Sequence, residues 1–224
     1  MGSDERSQAF SAVCGLLAGP VLFVATAAAV LAQPDDFSVI NHENSDLGAE
    51  TANSAWLANQ LGSNLPGVLV LVFAIGLWRS LGRHPSARIG SSLVGAAGVG
   101  IFLSGFFRLD CRHIDRGCDQ VSSWHAVAHN IDGGFTVLAL VLAPFVLLRA
   151  LKLAPHWRDL WVPTLAFGIG TIVAAIAGGA VGDGLASLLG VLVWFAWITV
   201  LAVRMFRLSG APRTGPAARS LAAP

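Results

Sequence analysis

The residues best suited to chemistry lie close together, in the 23 residues from Asp110 to Asp132. This stretch holds two cysteines, three histidines and four aspartates in a chain that is mostly apolar. A helix that begins near residue 122 turns by about 100° and rises by about 1.5 Å per residue. One face of that helix would carry four polar side chains: His125, His129, Asp132 and Thr136.

This polar stripe is open to three interpretations. The first is structural, with His129 and Asp132 as a buried pair that holds the helix to its neighbours. The second is an acid–base or ligand-binding site, in which burial and pairing move pKa values towards neutrality. The third is a metal site, because His125, His129 and Asp132 have a spacing that metal ligands use. We expect no cofactor, with zinc as the alternative.

The composition places these residues in a membrane protein. Hydrophobic residues make up 54% of the 224 and charged residues only 12%, whereas a typical soluble domain has about 25% charged residues. A water-soluble fold of this length needs more charged residues on its surface than this chain contains. Lipid is therefore the expected solvent. A net charge of +1 provides no basic surface and argues against a nucleic-acid partner.

Six segments are apolar enough to cross a bilayer, which takes about 20 residues of helix. They are residues 10–32, 52–81, 87–107, 124–151, 160–181 and 185–203. The sequence therefore predicts an all-α polytopic membrane protein whose six transmembrane helices form a bundle over residues 1–207. The first segment is expected to be retained, because its apolar run exceeds the ~7–15 residues of a signal peptide. Residues 208–224 are predicted to be a disordered cytoplasmic tail.

The basic residues predict the orientation, because Lys and Arg accumulate in cytoplasmic loops. With the N-terminus inside, 11 of the 14 lie on the cytoplasmic side, and only Arg108, Arg112 and Arg116 lie outside. We therefore expect a bacterial inner-membrane protein with both termini in the cytoplasm. Cys111 and Cys118 would then face an oxidising compartment, where a disulfide is expected. Their spacing does not match the usual zinc knuckles.

The second span supplies another polar face at the same outer depth. At helical spacing this face carries Trp56, Asn59, Ser63 and Asn64. Together with His125 and His129 it suggests an outward-opening pocket, apolar below and polar above, which suits a lipid headgroup or a prenyl-type ligand. Arg108 and Asp110 would lie at its rim. Alternatively, the amides only form hydrogen bonds between helices.

Several motifs lie in this part of the chain: Ser45-Asp46-Leu47-Gly48, Trp56, Asn59, Gly105 to Asp110, and His125. In these motifs the chain resembles a bacterial and archaeal membrane family, domain of unknown function 998. The resemblance covers about residues 10–205 and implies a six-helix membrane bundle but no activity. It also implies that Asp46, Trp56, Asn59, Asp110 and His125 are stronger site candidates than helical geometry alone makes them.

These observations predict a membrane protein that binds or acts on a lipid or isoprenoid. His125 and His129 would be the acid–base or ligand pair, Asp132 their orienting partner, and Asp46 and Asp110 carboxylates at the rim. Whether the protein is an enzyme stays open. The alternative is a non-catalytic accessory or assembly subunit. Homo-oligomers could form through seams of Gly and Ala such as Gly170, Ala174 and Gly178.

Overall fold

The computed structural model of the chain describes residues 2–210, and the helices account for most of them. The helices are α1 (Ser3–Leu31), a π-helix (Leu57–Asn64) that continues into α2 (Leu65–Ser80), α3 (Pro85–Ser104), α4 (Trp124–Leu153), α5 (Trp161–Ile176), the short α6 (Gly178–Val181) and α7 (Asp183–Ser209). Two 3₁₀ segments, Asn44–Gly48 and Pro155–Leu160, lie between them. The predicted tail falls almost entirely on residues 211–224, which lie outside the described residues.

The predicted all-α, six-span membrane bundle is confirmed. Six helical segments are long and apolar enough to cross a membrane, and the described part of the chain contains no strand. Each long helix packs against the next one in the sequence, and α7 returns to pack against α1. The long helices therefore form a closed ring, whose interior can enclose a cavity.

Local sequence signals fix where two of these helices begin. Pro85 occupies the first turn of α3, where its missing N–H costs nothing, and the His84 ring accepts a hydrogen bond from the Ser86 N–H at 3.2 Å. Ser123 is the N-cap of α4, and its hydroxyl oxygen accepts a hydrogen bond from the Ala126 N–H at 3.2 Å. The start of α4 in turn sets the position of His125 and His129.

The second span is less regular than the sequence suggests. Its first eight residues form a π-helix, in which the Leu65 N–H donates to the carbonyl of Gln60, five residues earlier. Pro66 follows directly and has no N–H for the carbonyl of Gly62, so the α-helical ladder is interrupted at the same place. π-Helical turns are rare and often occur at functional sites. Here the π-helix carries Asn59 and Ser63.

Glycines allow the closest approach between helices inside the ring. A Cβ atom at Gly67 would lie 2.5 Å from the Phe102 backbone nitrogen, and one at Gly98 would lie 2.9 Å from the Leu71 backbone nitrogen. The backbones of α2 and α3 therefore touch, as small residues permit in membrane bundles. At Gly170 a Cβ atom would lie 3.2 Å from the Val193 side chain of α7, so there a side chain, not the backbone, faces the glycine. Because these seams are used within one chain, homo-oligomerisation through them stays a prediction.

The two ends of the bundle differ. The loop-rich end comprises residues 32–56, 105–123 and 177–182, and the short-loop end comprises residues 81–84 and 154–160. At the loop-rich end the two long loops are bonded to each other: the Glu50 N–H donates to the Leu109 carbonyl at 3.0 Å, and the Arg112 N–H donates to the Thr51 hydroxyl at 3.1 Å. Hydrogen bonds from Arg112 lower the pKa of Asp115 to about 2. The loops thus form a cap over this end.

Candidate functional site

A cavity of about 250 Å³, called the chamber below, lies inside the ring towards the loop-rich end. Its walls come from α1, the π-helix, α3, α4 and α7, and most of the lining side chains are apolar. Those walls include Leu22, Ile101, Val137, Leu140, Val191 and Phe195. The chamber also receives a few polar side chains, which the following paragraphs place.

A second cavity of about 480 Å³, called the vestibule, adjoins the chamber under the loops. Both cavities are lined by six residues: Asn44, Ser45, Leu109, His129, Gly133 and Val137. The vestibule is more polar and carries Glu43, Asp46, Asp183 and the histidines His42 and His113. The two cavities therefore share a wall, with the more polar cavity at the loop-rich end and the more apolar one inside the bundle. Binding pockets for small molecules commonly have ~300–1,000 Å³.

His129 lies where the chamber meets the vestibule. Its Nδ1 lies 2.7 Å from the backbone carbonyl oxygen of Phe107, at the end of α3. A carbonyl can only accept, so Nδ1–H donates, and Nε2 of the neutral ring is left as a proton acceptor. The carbonyl thus fixes both the ring orientation and the tautomer of His129.

Asp132 is hydrogen-bonded to α3 rather than to His129. The described residues contain no hydrogen bond between the two, and Asp132 instead accepts from the Ser104 hydroxyl at 3.0 Å. The physical reason lies on α3, where Gly100 leaves room beside the Asp132 carboxylate and Ser104 supplies a donor. His129 and Asp132 are therefore not joined by a hydrogen bond, although they interact electrostatically and both lie on the inner side of α4. The role of Asp132 as the partner of His129 stays a prediction.

His125 is separated from His129. It is exposed, and its ring stacks on Trp124 with centroids 3.7 Å apart. Neither cavity includes it, because α3 has already ended at Ser104 and leaves only the edge of Phe107 beside it. His125 therefore does not line the pocket together with His129, although both lie on one face of α4. Within residues 2–210 no three His, Cys, Asp or Glu side chains gather as metal ligands, so the proposed zinc set is not assembled.

The polar residues of the second span also divide into those that line the chamber and those that lie outside it. Asn59 is buried and lines the chamber, and its amide donates to the Gly48 carbonyl at 3.0 Å. Asn64 is also buried, but it donates to the Phe102 carbonyl at 2.6 Å and lies outside both cavities. Asn64 therefore joins α2 to α3, as the alternative interpretation of the amides expected. Trp56 is 57% exposed and lies outside the cavities.

Arg108 lines the chamber, next to Leu109, which lines both cavities. In the part of the chain that the structure describes, its guanidinium has neither a hydrogen bond nor an ion pair. It is the only lining residue of the chamber with a permanent charge.

The two rim carboxylates differ from each other. Asp110 accepts hydrogen bonds from the backbone N–H groups of Ser123 at 2.7 Å and Ser122 at 2.8 Å, and these serines lower its pKa to about 2. Asp110 holds the start of α4 and lies outside both cavities, so it does not line the pocket rim where it was predicted. Asp46 is buried and lines the vestibule.

Sequence reasoning missed Trp194, which lines the chamber from α7. Its ring is buried, and its Nε1–H has no partner among the described residues. The same is true of the Thr136 hydroxyl on α4, which also lines the chamber. In contrast, the nearby Trp197 donates to Thr164 at 3.0 Å. Nothing in the sequence distinguishes these two tryptophans, because both fall on apolar faces of the last helix.

Fold and cavity together define a polytopic membrane protein with an internal pocket at one end of its helical ring. Residues 17–204 match the family described as "Protein of unknown function (DUF998)", and the chain belongs to that family. The resemblance stated from the motifs is confirmed. No curated protein and no solved structure matches the chain.

Proposed function

We propose that this protein binds one amphiphile, a membrane lipid or an isoprenoid phosphate, with its anionic group at Arg108 and part of its chain in the chamber. The observation that carries the proposal is the unpaired charge of Arg108 in the wall of a mostly apolar cavity. A guanidinium binds phosphate oxygens through two parallel hydrogen bonds. The apolar walls below it match a hydrocarbon chain, and the vestibule above it provides room for a polar headgroup.

The unpaired donors deeper in the chamber support the same ligand class. A buried polar group without a hydrogen bond costs about 1–3 kcal/mol. Trp194 Nε1–H and the Thr136 hydroxyl carry that cost unless an oxygen atom enters the chamber. An ester oxygen, a hydroxyl group or a water that accompanies the ligand would satisfy both groups.

Any acid–base step at this site falls to His129. Its ring is held by the Phe107 carbonyl, and its Nε2 is the proton acceptor. Asp132 sits one turn further along α4 and is held by Ser104. Binding is the activity proposed, and catalysis by His129 would be added to it rather than replace it.

The proposal is tested by filling the chamber from Gly133. This glycine shares a face of α4 with His129 and Val137, both of which line the cavities, and a Cβ atom there meets nothing within 4 Å. A Gly133→Leu variant should fold normally and bind several-fold less ligand, because the leucine occupies ligand space. Binding is measured by native mass spectrometry with dioleoyl phosphatidylglycerol and with farnesyl phosphate.

Gly134→Leu is the matched control. The neighbouring glycine is exposed, lies outside both cavities, and also has open space at its Cβ position. Both variants add the same side chain to the same helix turn, so only the chamber distinguishes them. Equal binding of both ligands by the two variants would contradict the proposal. If Gly133→Leu weakens the binding of only one of the two ligands, the ligand class affected, glycerolipid or isoprenoid, is the one that occupies the chamber.

For the orientation, we propose an inner-membrane protein with both termini in the cytoplasm, whose loop-rich end faces the oxidising side and carries a Cys111–Cys118 disulfide. The distribution of Lys and Arg supports the orientation. The structure brings the two cysteines together, with Cα atoms 6.4 Å apart, which suits a disulfide. Cys14 is buried in α1.

This pairing predicts a count of reactive thiols. Protein purified without reductant, then unfolded and treated with a maleimide, should gain one adduct, at Cys14, and three adducts after reduction. A Cys118→Ser variant should gain two adducts without reduction, because Cys111 loses its partner. Mass spectrometry of the intact chain counts them. Three adducts on the unreduced protein would show that the disulfide is absent. The orientation would then lose this support.

A further inference from the structure

The vestibule carries charge of one sign. Three carboxylates line it, from Glu43, Asp46 and Asp183, and no lysine or arginine does so among the described residues. The vestibule also contains histidines, among them His42, whose Nδ1 accepts a hydrogen bond from the Ser38 N–H at 2.9 Å. The vestibule therefore has the opposite charge to the chamber wall at Arg108.

Asp46 is the most informative of the three carboxylates. Its side chain is only 1% exposed. Its Oδ1 accepts from the His113 N–H at 3.1 Å and from the Gln120 amide at 3.0 Å, whereas Oδ2 has no partner within residues 2–210. Buried carboxylate oxygens are normally satisfied, so an unpaired Oδ2 in a cavity wall indicates a donor that this chain does not supply.

The other two carboxylates are available to the same donor. Glu43 accepts only from the Ser45 hydroxyl, at 3.2 Å, and Asp183 has no hydrogen bond or ion pair in the described part of the chain. Both are exposed. The three come from two different parts of the fold, the first loop and the start of α7, and converge on one cavity.

We propose that the vestibule is an ammonium-binding subsite, so that the amphiphile carries a zwitterionic headgroup with an amine beyond its phosphate. This inference rests on the proposed function. The phosphate would lie at Arg108 and the ammonium between Asp46, Glu43 and Asp183, on either side of Leu109, which lines both cavities. An ammonium group has three donors, enough to satisfy Oδ2 and a second carboxylate.

Burial raises the pKa of Asp46. A cation beside it acts in the opposite direction and favours the ionised carboxylate. The groups that interact electrostatically with Asp46 are His42, Glu43, His113 and Arg112. Arg112 is a permanent cation, but its guanidinium is paired with Asp115 at 2.7 Å, and the Asp46 Oδ2 still has no donor within residues 2–210. A bound ammonium group would supply that donor.

The test compares dioleoyl phosphatidylethanolamine with dioleoyl phosphatidylglycerol, which share chains and phosphodiester and differ in the amine. Full-length protein is equilibrated with an equal mixture of the two, and bound lipid is quantified by native mass spectrometry. Asp46→Asn should lower the ethanolamine-to-glycerol ratio roughly fivefold, because one charge-assisted contact is lost. Asparagine keeps an oxygen that accepts from His113 and Gln120, so the loops stay joined.

Asp183→Asn gives a second measurement at an exposed position, and the ratio should fall there as well. Asp35→Asn is the matched control: it removes the same charge from an exposed site in the first loop, outside both cavities, and should leave the ratio unchanged. Unchanged ratios in both vestibule variants, with both lipids still bound, would overturn the ammonium subsite and leave the proposed function standing. If the wild-type protein binds neither of these lipids but binds farnesyl phosphate, the ammonium subsite is overturned and the proposed function stands; binding of none of the three would overturn both.

Discussion

An Arg108→Gln variant is expected to bind phosphatidylglycerol at least about tenfold more weakly than the wild-type protein. A hydrogen bond to a charged group contributes ~1.5–3 kcal/mol, and about 1.4 kcal/mol corresponds to a factor of ten in affinity. Arg108 has no partner among the described residues, so its loss breaks no contact of the fold. Glutamine keeps the side-chain polarity and removes the charge. Titration of the lipid into detergent-solubilised protein gives the two dissociation constants.

Arg116→Gln is the control for this variant. Arg116 lies in the same loop, is exposed, and lines neither cavity, so its replacement changes the net charge at the loop-rich end by the same amount. Both arginines are exposed, but only Arg108 lines the chamber, so we expect the affinity of Arg116→Gln to equal that of the wild-type protein within about twofold. If both variants weaken binding equally, the lipid is attracted by the surface as a whole and the chamber is not its site.

The fold could be predicted from the sequence because lipid imposes a simple rule. Every spanning segment must satisfy its own backbone hydrogen bonds and present an apolar surface, so six long apolar runs predict six helices. The family resemblance follows from local motifs and was equally accessible. In contrast, the π-helix at Leu57–Asn64 was not predictable, since its polar sequence is compatible with an ordinary helix. Only Pro66 signalled that the ladder would be interrupted there.

The site could be predicted only in part, because helical periodicity places residues on a face but does not show what covers that face. His129 and Asn59 both line the chamber as expected. His125 has nearly the same direction on α4 as His129, but α3 ends before reaching it, so it stacks on Trp124 instead. Asp132 accepts a hydrogen bond from Ser104, because α3 places that hydroxyl beside the carboxylate. In each case the neighbouring helix decided the outcome, and its register is not encoded in α4.

The structure also shows how opposite charges can share one end of a membrane protein. Arg108 lies in the chamber wall and the carboxylates of Asp46 and Asp183 in the vestibule, with Leu109 between them. Direct pairing would have cancelled these charges within the protein, as Arg112 and Asp115 do at 2.7 Å in the loop above. Of these three groups only Asp46 is buried, so only its carboxylate carries a burial cost, whereas Arg108 and Asp183 are exposed. The proposed ligand, with charges of both signs, would pair with both sides of this arrangement.

Gly67→Ala is expected to destabilise the bundle strongly, although it adds only one methyl group. A Cβ atom at this position would lie 2.5 Å from the backbone nitrogen of Phe102 and 2.6 Å from the carbonyl oxygen of Gly98. Both are backbone atoms of α3, so no side-chain rotation relieves the clash and the two helices must separate. Overpacking of this kind costs about 1–3 kcal/mol, and more where the backbone has to shift. The midpoint temperature of unfolding in detergent should therefore fall. It is measured by size-exclusion chromatography of samples heated to increasing temperatures.

Gly95→Ala provides the control at the same seam between α2 and α3. There the new methyl group would lie 3.5 Å from the Ala74 Cβ atom, an ordinary contact. Because alanine is a better helix former than glycine by about 1 kcal/mol, this variant should be as stable as the wild-type protein or more so. Equal stability of the Gly67→Ala and Gly95→Ala proteins would contradict the close approach of the two helices. The ring would then be looser at this point, and the chamber, which shares α3 as a wall, would lose its defined shape.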